Sequence, residues 1–154
     1  MQLTQFLDFD AIKPALSAGN KRSLLQQLST IAAQRLQLDQ AAILDSVSER
    51  EKLGSTGFGQ GVAIPHGKVL GLGRIYCLFV RLADGIRYDA IDGAPVDLVF
   101  LLLSPPDAGA EHLKALAAVS RVIRHGTAID QLRGARSRDA LAAVLMGADE
   151  RDAA

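Results

Sequence analysis

Two nearly unbroken apolar runs, Ile75–Val80 and Val96–Leu103, limit the folds open to this chain more than any other feature. A strand that is apolar at almost every position cannot turn one face to water, so both faces of its sheet must be covered. Ile75-Tyr76-Cys77-Leu78-Phe79-Val80 has the β-branched and aromatic content of a central strand. Asp92-Gly93 gives a turn signal before the second run, suggesting a hairpin, and Ser104-Pro105-Pro106 stops that run. The covers must come from the flanking segments. Upstream, Asn20 is a favourable N-cap, and Leu24, Leu25, Leu28, Ile31, Ala32 and Leu36 recur at the helical period. Asp39 opens a second helix, with Ile43, Val47 and Leu53 expected inward and Gly54 just past its end.

Downstream, Leu113, Leu116, Ala117, Ser120 and Ile123 predict the inner stripe of a third helix, ended by Gly126. Thr127 with Asp130 caps a short helix, and Ser137 precedes a last one through Leu145. The small, charged tail Gly147–Ala154 is expected to fray. Residues 1–19 signal only a helical turn near Leu3–Leu7 and an extended piece around Ile12–Leu16. Helices, then strands, then helices again predict an α/β sandwich with a mixed central sheet flanked by helices.

At 154 residues the chain is expected to form one domain, 1–154. Hydrophobic residues make up 49% and charged ones 22%, which excludes a disordered chain. Seventeen basic and seventeen acidic residues cancel, so no global field favours nucleic acid or anionic lipid as a partner. Leu98–Leu103 is too short to cross a bilayer, and no basic residue precedes Lys13 in a signal-peptide pattern. The lone Cys77 lies in an apolar run and reads as a buried small hydrophobe, and the expected compartment is the cytoplasm.

Chemistry concentrates in Gly54-Ser55-Thr56-Gly57-Phe58-Gly59-Gln60-Gly61-Val62-Ala63-Ile64-Pro65-His66-Gly67-Lys68. Glycines permit positive φ and close approach, so free backbone N–H groups can line a cup for an anion. Ser55 and Thr56 add hydroxyls, Arg50, Lys52 and Lys68 add positive charge, and the His66 imidazole stands beside them as a nucleophile. Val62–Ile64 reads as a short strand delivering His66 to its end, where Pro65 stops pairing. Two rival motifs fail. A G-x-G-x-x-G fingerprint counted from Gly57 or Gly59 meets Val62 or Ile64 where its last glycine belongs. A P-loop counted from Gly61 is one residue too long, and Val69 replaces its magnesium-binding hydroxyl. What remains is a phosphohistidine site or a glycine-rich turn with a structural histidine.

The segment Arg50-Glu51-Lys52-Leu53-Gly54-Ser55-Thr56-Gly57, with Gly59, Gly61 and Ala63-Ile64-Pro65-His66-Gly67-Lys68, resembles the enzyme IIA proteins of the bacterial phosphotransferase system. The likeness is to the mannitol/fructose-type superfamily, nearest its nitrogen-regulatory branch, and spans about Leu3 to Leu145. It implies the same sandwich fold and phosphorylation of His66 on Nε2. It also implies that His112, opening the third helix, binds the phosphoryl group, and that an arginine belongs at the place of Arg50. Guanidinium meets phosphate oxygens in bidentate fashion, so Arg50 reads as an electrostatic clamp. Ser55, Thr56 and the amides of residues such as Gly57 and Gly67 are expected to complete the cradle, and spacing leaves open which of them contacts phosphate. His125, beside Gly126, reads as structural.

A phosphoimidazole passes its group on without metal or ATP, so no cofactor is expected, and His66 with His112 makes no compact zinc motif. The resemblance implies a phosphocarrier protein as phosphoryl donor and regulatory protein targets chosen by phosphorylation state. No nucleic acid or membrane insertion is expected. A free-standing fructose- or mannitol-type IIA that feeds a sugar permease is the alternative. Phe58, Val62 and Ile64 are expected to leave an apolar docking patch around His66.

Overall fold

In a computed structural model, which describes residues 1–153, the two apolar runs form an antiparallel pair at the centre of a six-stranded mixed sheet. The strands are β1 (Lys13–Leu16), β2 (Gly57–Gly59), β3 (Val62–Ala63), β4 (His66–Lys68), β5 (Tyr76–Ile86) and β6 (Val96–Ser104). Their order is β1-β5-β6-β3-β2, with β4 also paired to β6. β5 and β6 are antiparallel, whereas β1 runs parallel to β5, and β3 and β4 run parallel to β6. The helices are α1 (Lys21–Leu36), α2 (Gln40–Lys52), α3 (Ala110–Arg124), α4 (Ala128–Gly134) and α5 (Arg138–Ala153).

Period-two alternation on two buried strands divides the core in two. Leu78, Val80, Leu82, Val99, Leu101 and Leu103 pack with Leu24, Leu28, Ile43 and Val47 of α1 and α2. Cys77, Phe79, Leu98, Phe100 and Leu102 pack with Val119, Leu132, Leu141 and Leu145 of α3–α5. Cys77 is fully buried, and burial pushes its thiol well above the ordinary range. The Phe79 and Phe100 rings lie 4.7 Å apart and tilted across the central pair, a geometry that adds about 1 kcal/mol beyond area burial. Asn20 caps α1 as expected, its side chain accepting from the Ser23 N–H at 2.8 Å.

Several local expectations are corrected. Leu53 is 85% exposed, because α2 ends at Lys52 and the side chain hangs past the last packed turn. The inner face of α3 is His112, Ala115, Ala118, Val119, Val122 and Ile123, which leaves Leu113 67% exposed. The inner face is thus turned from the predicted stripe, with Ala115 and Ala118 buried and Ala117 exposed. α5 runs on to Ala153 instead of ending at Leu145, and Ala148 and Asp149 are buried. Asp149 earns its place by accepting from the Leu3 and Thr4 N–H groups (3.1 and 3.0 Å) and the Thr4 hydroxyl (2.7 Å). These are donors at the start of an N-terminal 3-10 turn, which have no partners within the turn itself. Of the expected fraying tail, Ala154 lies outside the described residues.

Candidate functional site

The glycine-rich stretch folds as a hairpin followed by a resumed strand. β2 and β3 pair antiparallel across a tight turn, in which Gln60 and Gly61 take φ of 58° and 82°. Pro65 does not end the pairing, contrary to expectation. It donates no N–H, but its carbonyl accepts from Leu102 N at 3.0 Å, so the ladder along β6 continues and His66 opens β4 opposite Leu102. The histidine is therefore held by a paired strand in the sheet.

The second wall is α2. Gly67 is required here, since a Cβ on it would lie 2.4 Å from Ser46 Oγ and 3.2 Å from the Ser46 carbonyl carbon. Ser46 donates to the Lys68 carbonyl at 2.7 Å, fastening the helix to β4. One turn later on the same face stands Arg50, whose Nη1 donates to the Gly54 carbonyl at 2.7 Å. The third wall comes from the start of α3. His112 is 9% exposed, and its Nδ1 lies 2.6 Å from the hydroxyl of Ser104, the last residue of β6. Ser46, Glu49, Arg50, Leu53, His66, Gly67, Lys68 and His112 together line an open cavity of ≈ 350 Å³.

Within it the two imidazoles are 5.3 Å apart between ring centroids, inclined at 51°. His66 Nδ1 lies 2.8 Å from the Ile64 carbonyl oxygen, which only accepts, so Nδ1 carries the proton and Nε2 keeps its lone pair. Burial pushes the His66 pKa below its usual 6.5, and the Arg50 charge works in the same direction against the Ile64 carbonyl and Glu51. His112 is lowered by burial, with His66 and Lys68 contributing. The site thus holds a neutral imidazole nucleophile next to an arginine and a second neutral imidazole. That set suits the attack of a ring nitrogen on phosphorus and the holding of phosphoryl oxygens.

Of the residues singled out in the sequence, His66, Arg50, His112, Gly67 and Lys68 meet at this cavity. Ser55, Thr56 and Gly57 do not line it. Ser55 Oγ donates to the Tyr88 carbonyl at 3.1 Å and accepts from Gly57 N at 3.1 Å. Thr56 is buried and bonds Glu51 through its N–H (3.2 Å) and its hydroxyl, which also meets Tyr88 Oη at 2.9 Å. Gly57 is pressed on Ala90, where a Cβ would come within 2.6 Å of the Ala90 Cβ. Lys52 pairs with Glu49 at 3.0 Å on the exposed flank, and His125 lies at the far end of α3. The expected docking patch is also different. Val62 and Ile64 are buried, and Phe58 lies against Arg124, whose guanidinium carbon is 5.9 Å from the ring centroid. The apolar rim near His66 is instead Leu53.

Sequence reasoning missed Glu51, which accepts from Lys21 Nζ (2.9 Å), Tyr88 Oη (2.8 Å) and Thr56 and is nearly buried. Its only signal was its place next to Arg50, since Tyr88 and Lys21 are remote in sequence. Ser46 and Ser104 gave no signal beyond ordinary helix and strand-end serines.

Compared with known proteins, residues 5–147 match the family described as phosphoenolpyruvate-dependent sugar phosphotransferase system, EIIA 2. The chain belongs to this family. A relative named nitrogen regulatory protein, from Bradyrhizobium diazoefficiens, is 45% identical to this EIIA 2 chain over 145 residues, covering 94% of it and 95% of the relative. The crystal structure of the nitrogen regulatory protein IIA-Ntr from Neisseria meningitidis superposes with a TM-score of 0.85 at 33% identity, over 92% of this chain and 97% of that one. The mannitol IIA of Escherichia coli has the same fold, with a TM-score of 0.75 at 17% identity over 90% and 97% of the two chains. Among the described residues of this EIIA 2 protein, no helix is long and apolar enough to cross a membrane.

Proposed function

We propose that His66 is the phosphoryl acceptor of this regulatory IIA protein, taking the group on Nε2 from a phosphocarrier protein and setting by its state which partners the protein holds. The observation that carries this reading is the hydrogen bond from His66 Nδ1 to the Ile64 carbonyl, which leaves Nε2 as the free ring nitrogen beside Arg50 and His112. The Nε2 lone pair forms the new P–N bond while the donor's bond to phosphorus breaks, its electron pair returning to the donor. The proton stays on His66 Nδ1, donated to the Ile64 carbonyl oxygen, which partly offsets the positive charge the ring gains. Arg50 and His112 serve the phosphoryl oxygens, and Gly67 lets the strand lie close under them. Ser55, Thr56 and Gly57 act at one remove, bracing the segment that follows α2. The regulatory role draws support from relatives carrying the nitrogen regulatory name over nearly their whole length, including the Bradyrhizobium protein at 45% identity.

The test is incubation with phosphoenolpyruvate, enzyme I and a phosphocarrier protein, followed by intact-mass measurement. Wild type is expected to gain one acid-labile phosphoryl group and His66→Ala none. Arg50→Ala and His112→Ala should be phosphorylated with rates lowered by up to ~10²–10³, the usual effect of removing one preorganised donor. Undiminished labelling of His66→Ala would overturn the assignment.

A further inference from the structure

Ser104 does not line the cavity, yet its geometry bears on His112. It is the last residue of β6, fully buried, and opposite Lys68 in the parallel pairing with β4. Its Oγ lies 2.6 Å from His112 Nδ1, and at that distance either atom can carry the shared hydrogen. The two choices leave different accounts. If Nδ1–H donated to the hydroxyl, the Ser104 proton would need another acceptor, and among the described residues its side chain has no other hydrogen-bond partner. A buried hydroxyl with an unused donor is disfavoured, whereas O–H donating into the Nδ1 lone pair satisfies both groups.

Resting on the reading of His66 as acceptor, we infer that Ser104 is a positioning residue. It holds His112 in the tautomer with its proton on Nε2, so that the neutral ring donates to an oxygen of the phosphoryl group on His66. The two histidines are then set oppositely by one backbone and one side-chain contact. The Ile64 carbonyl forces the His66 proton onto Nδ1, and the Ser104 hydroxyl forces the His112 proton onto Nε2. One ring offers a lone pair and the other an N–H, with centroids 5.3 Å apart. His112 then needs no charge to serve as donor, which suits a cavity already holding Arg50 and Lys68. Fixing the donor in advance spares reorganisation when the phosphoryl group arrives.

The experiment is long-range ¹H–¹⁵N correlation of the histidine ring nitrogens in the full chain, paired with transfer kinetics from the phosphocarrier protein, for wild type, Ser104→Ala and Ser104→Thr. Wild-type His112 is expected as the Nε2–H tautomer. Ser104→Ala should populate the Nδ1–H form and lower the maximal transfer rate roughly tenfold at unchanged KM for the carrier, a fraction of what removing a whole donor costs. Ser104→Thr, which keeps the hydroxyl, should restore both. A wild-type His112 in the Nδ1–H form overturns the inference, and that spectrum decides even if Ser104→Ala folds poorly. Ser104→Ala with wild-type tautomer and rate also overturns it. Wild type that takes no phosphoryl group on His66 sinks the reading of the site itself, a separate failure visible in the same samples.

Discussion

His66 and His112 are both kept neutral by burial, and this couples the site to pH in two ways. The unfolded chain binds protons near pH 6.5 on each ring, whereas both folded pKa values are lowered. For a depressed histidine, the stabilising contribution is fully present above the unfolded pKa and is lost as pH falls towards the folded one. Denaturant midpoints are therefore expected to hold near neutral pH and to decline below about 6.5, with the decline reduced in a His66→Gln, His112→Gln double variant. An equal decline in that variant would place the acid sensitivity elsewhere. Phosphoryl acceptance should follow the same direction, since a protonated His66 has no lone pair at Nε2. Its rate should stay level through neutral pH and fall only on the acid side.

At the scale of elements, α2 packs closely on β4 to form one wall of the cavity. That closeness depends on Gly67, whose missing Cβ gives Ser46 its space. Gly67→Ala should push the helix outward, costing ~1–3 kcal/mol as overpacking does, and should slow transfer because Arg50 rides on the same helix. Thermal unfolding and the relay assay measure the two effects, and a variant with wild-type stability and rate would contradict the close packing. The central strands were legible in the sequence because runs such as Leu98–Leu103 have one physical solution, a strand covered on both faces. The N-cap at Asn20 and the meeting of Arg50, His66 and His112 were legible too, since residue type and family resemblance both pointed there. The hydroxyls of Ser55 and Thr56 misled because spacing does not reveal which way a side chain turns. Their partners, Tyr88 and Glu51, come from a remote loop and from the end of α2. Leu53 and Leu113 were misplaced for a related reason: at helix ends the period no longer predicts burial, and both leucines face solvent.

The whole molecule carries no net charge, so a phosphoryl group of about −1.5 to −2 changes the field at this face more than elsewhere. The rim combines the exposed Leu53 with Arg50 and Lys68, an apolar and cationic setting. A partner that buries this rim would have to desolvate the dianion once His66 is modified. His66→Glu is therefore expected to retain less of a regulatory partner from cell extract than His66→Ala, as quantified by mass spectrometry of matched pull-downs. No protein distinguishing the two baits, with only a sugar permease component retained, would favour transport over regulation. The central claim is narrower than any of this: the phosphoryl group sits on one nitrogen of one histidine, chosen by a backbone carbonyl. The most direct measurement is ³¹P–¹⁵N coupling in protein labelled at histidine and phosphorylated through the relay. The account predicts a coupling to Nε2 of His66 with Nδ1 still protonated, and a coupling to Nδ1 of His66, or to either nitrogen of His112, would contradict it.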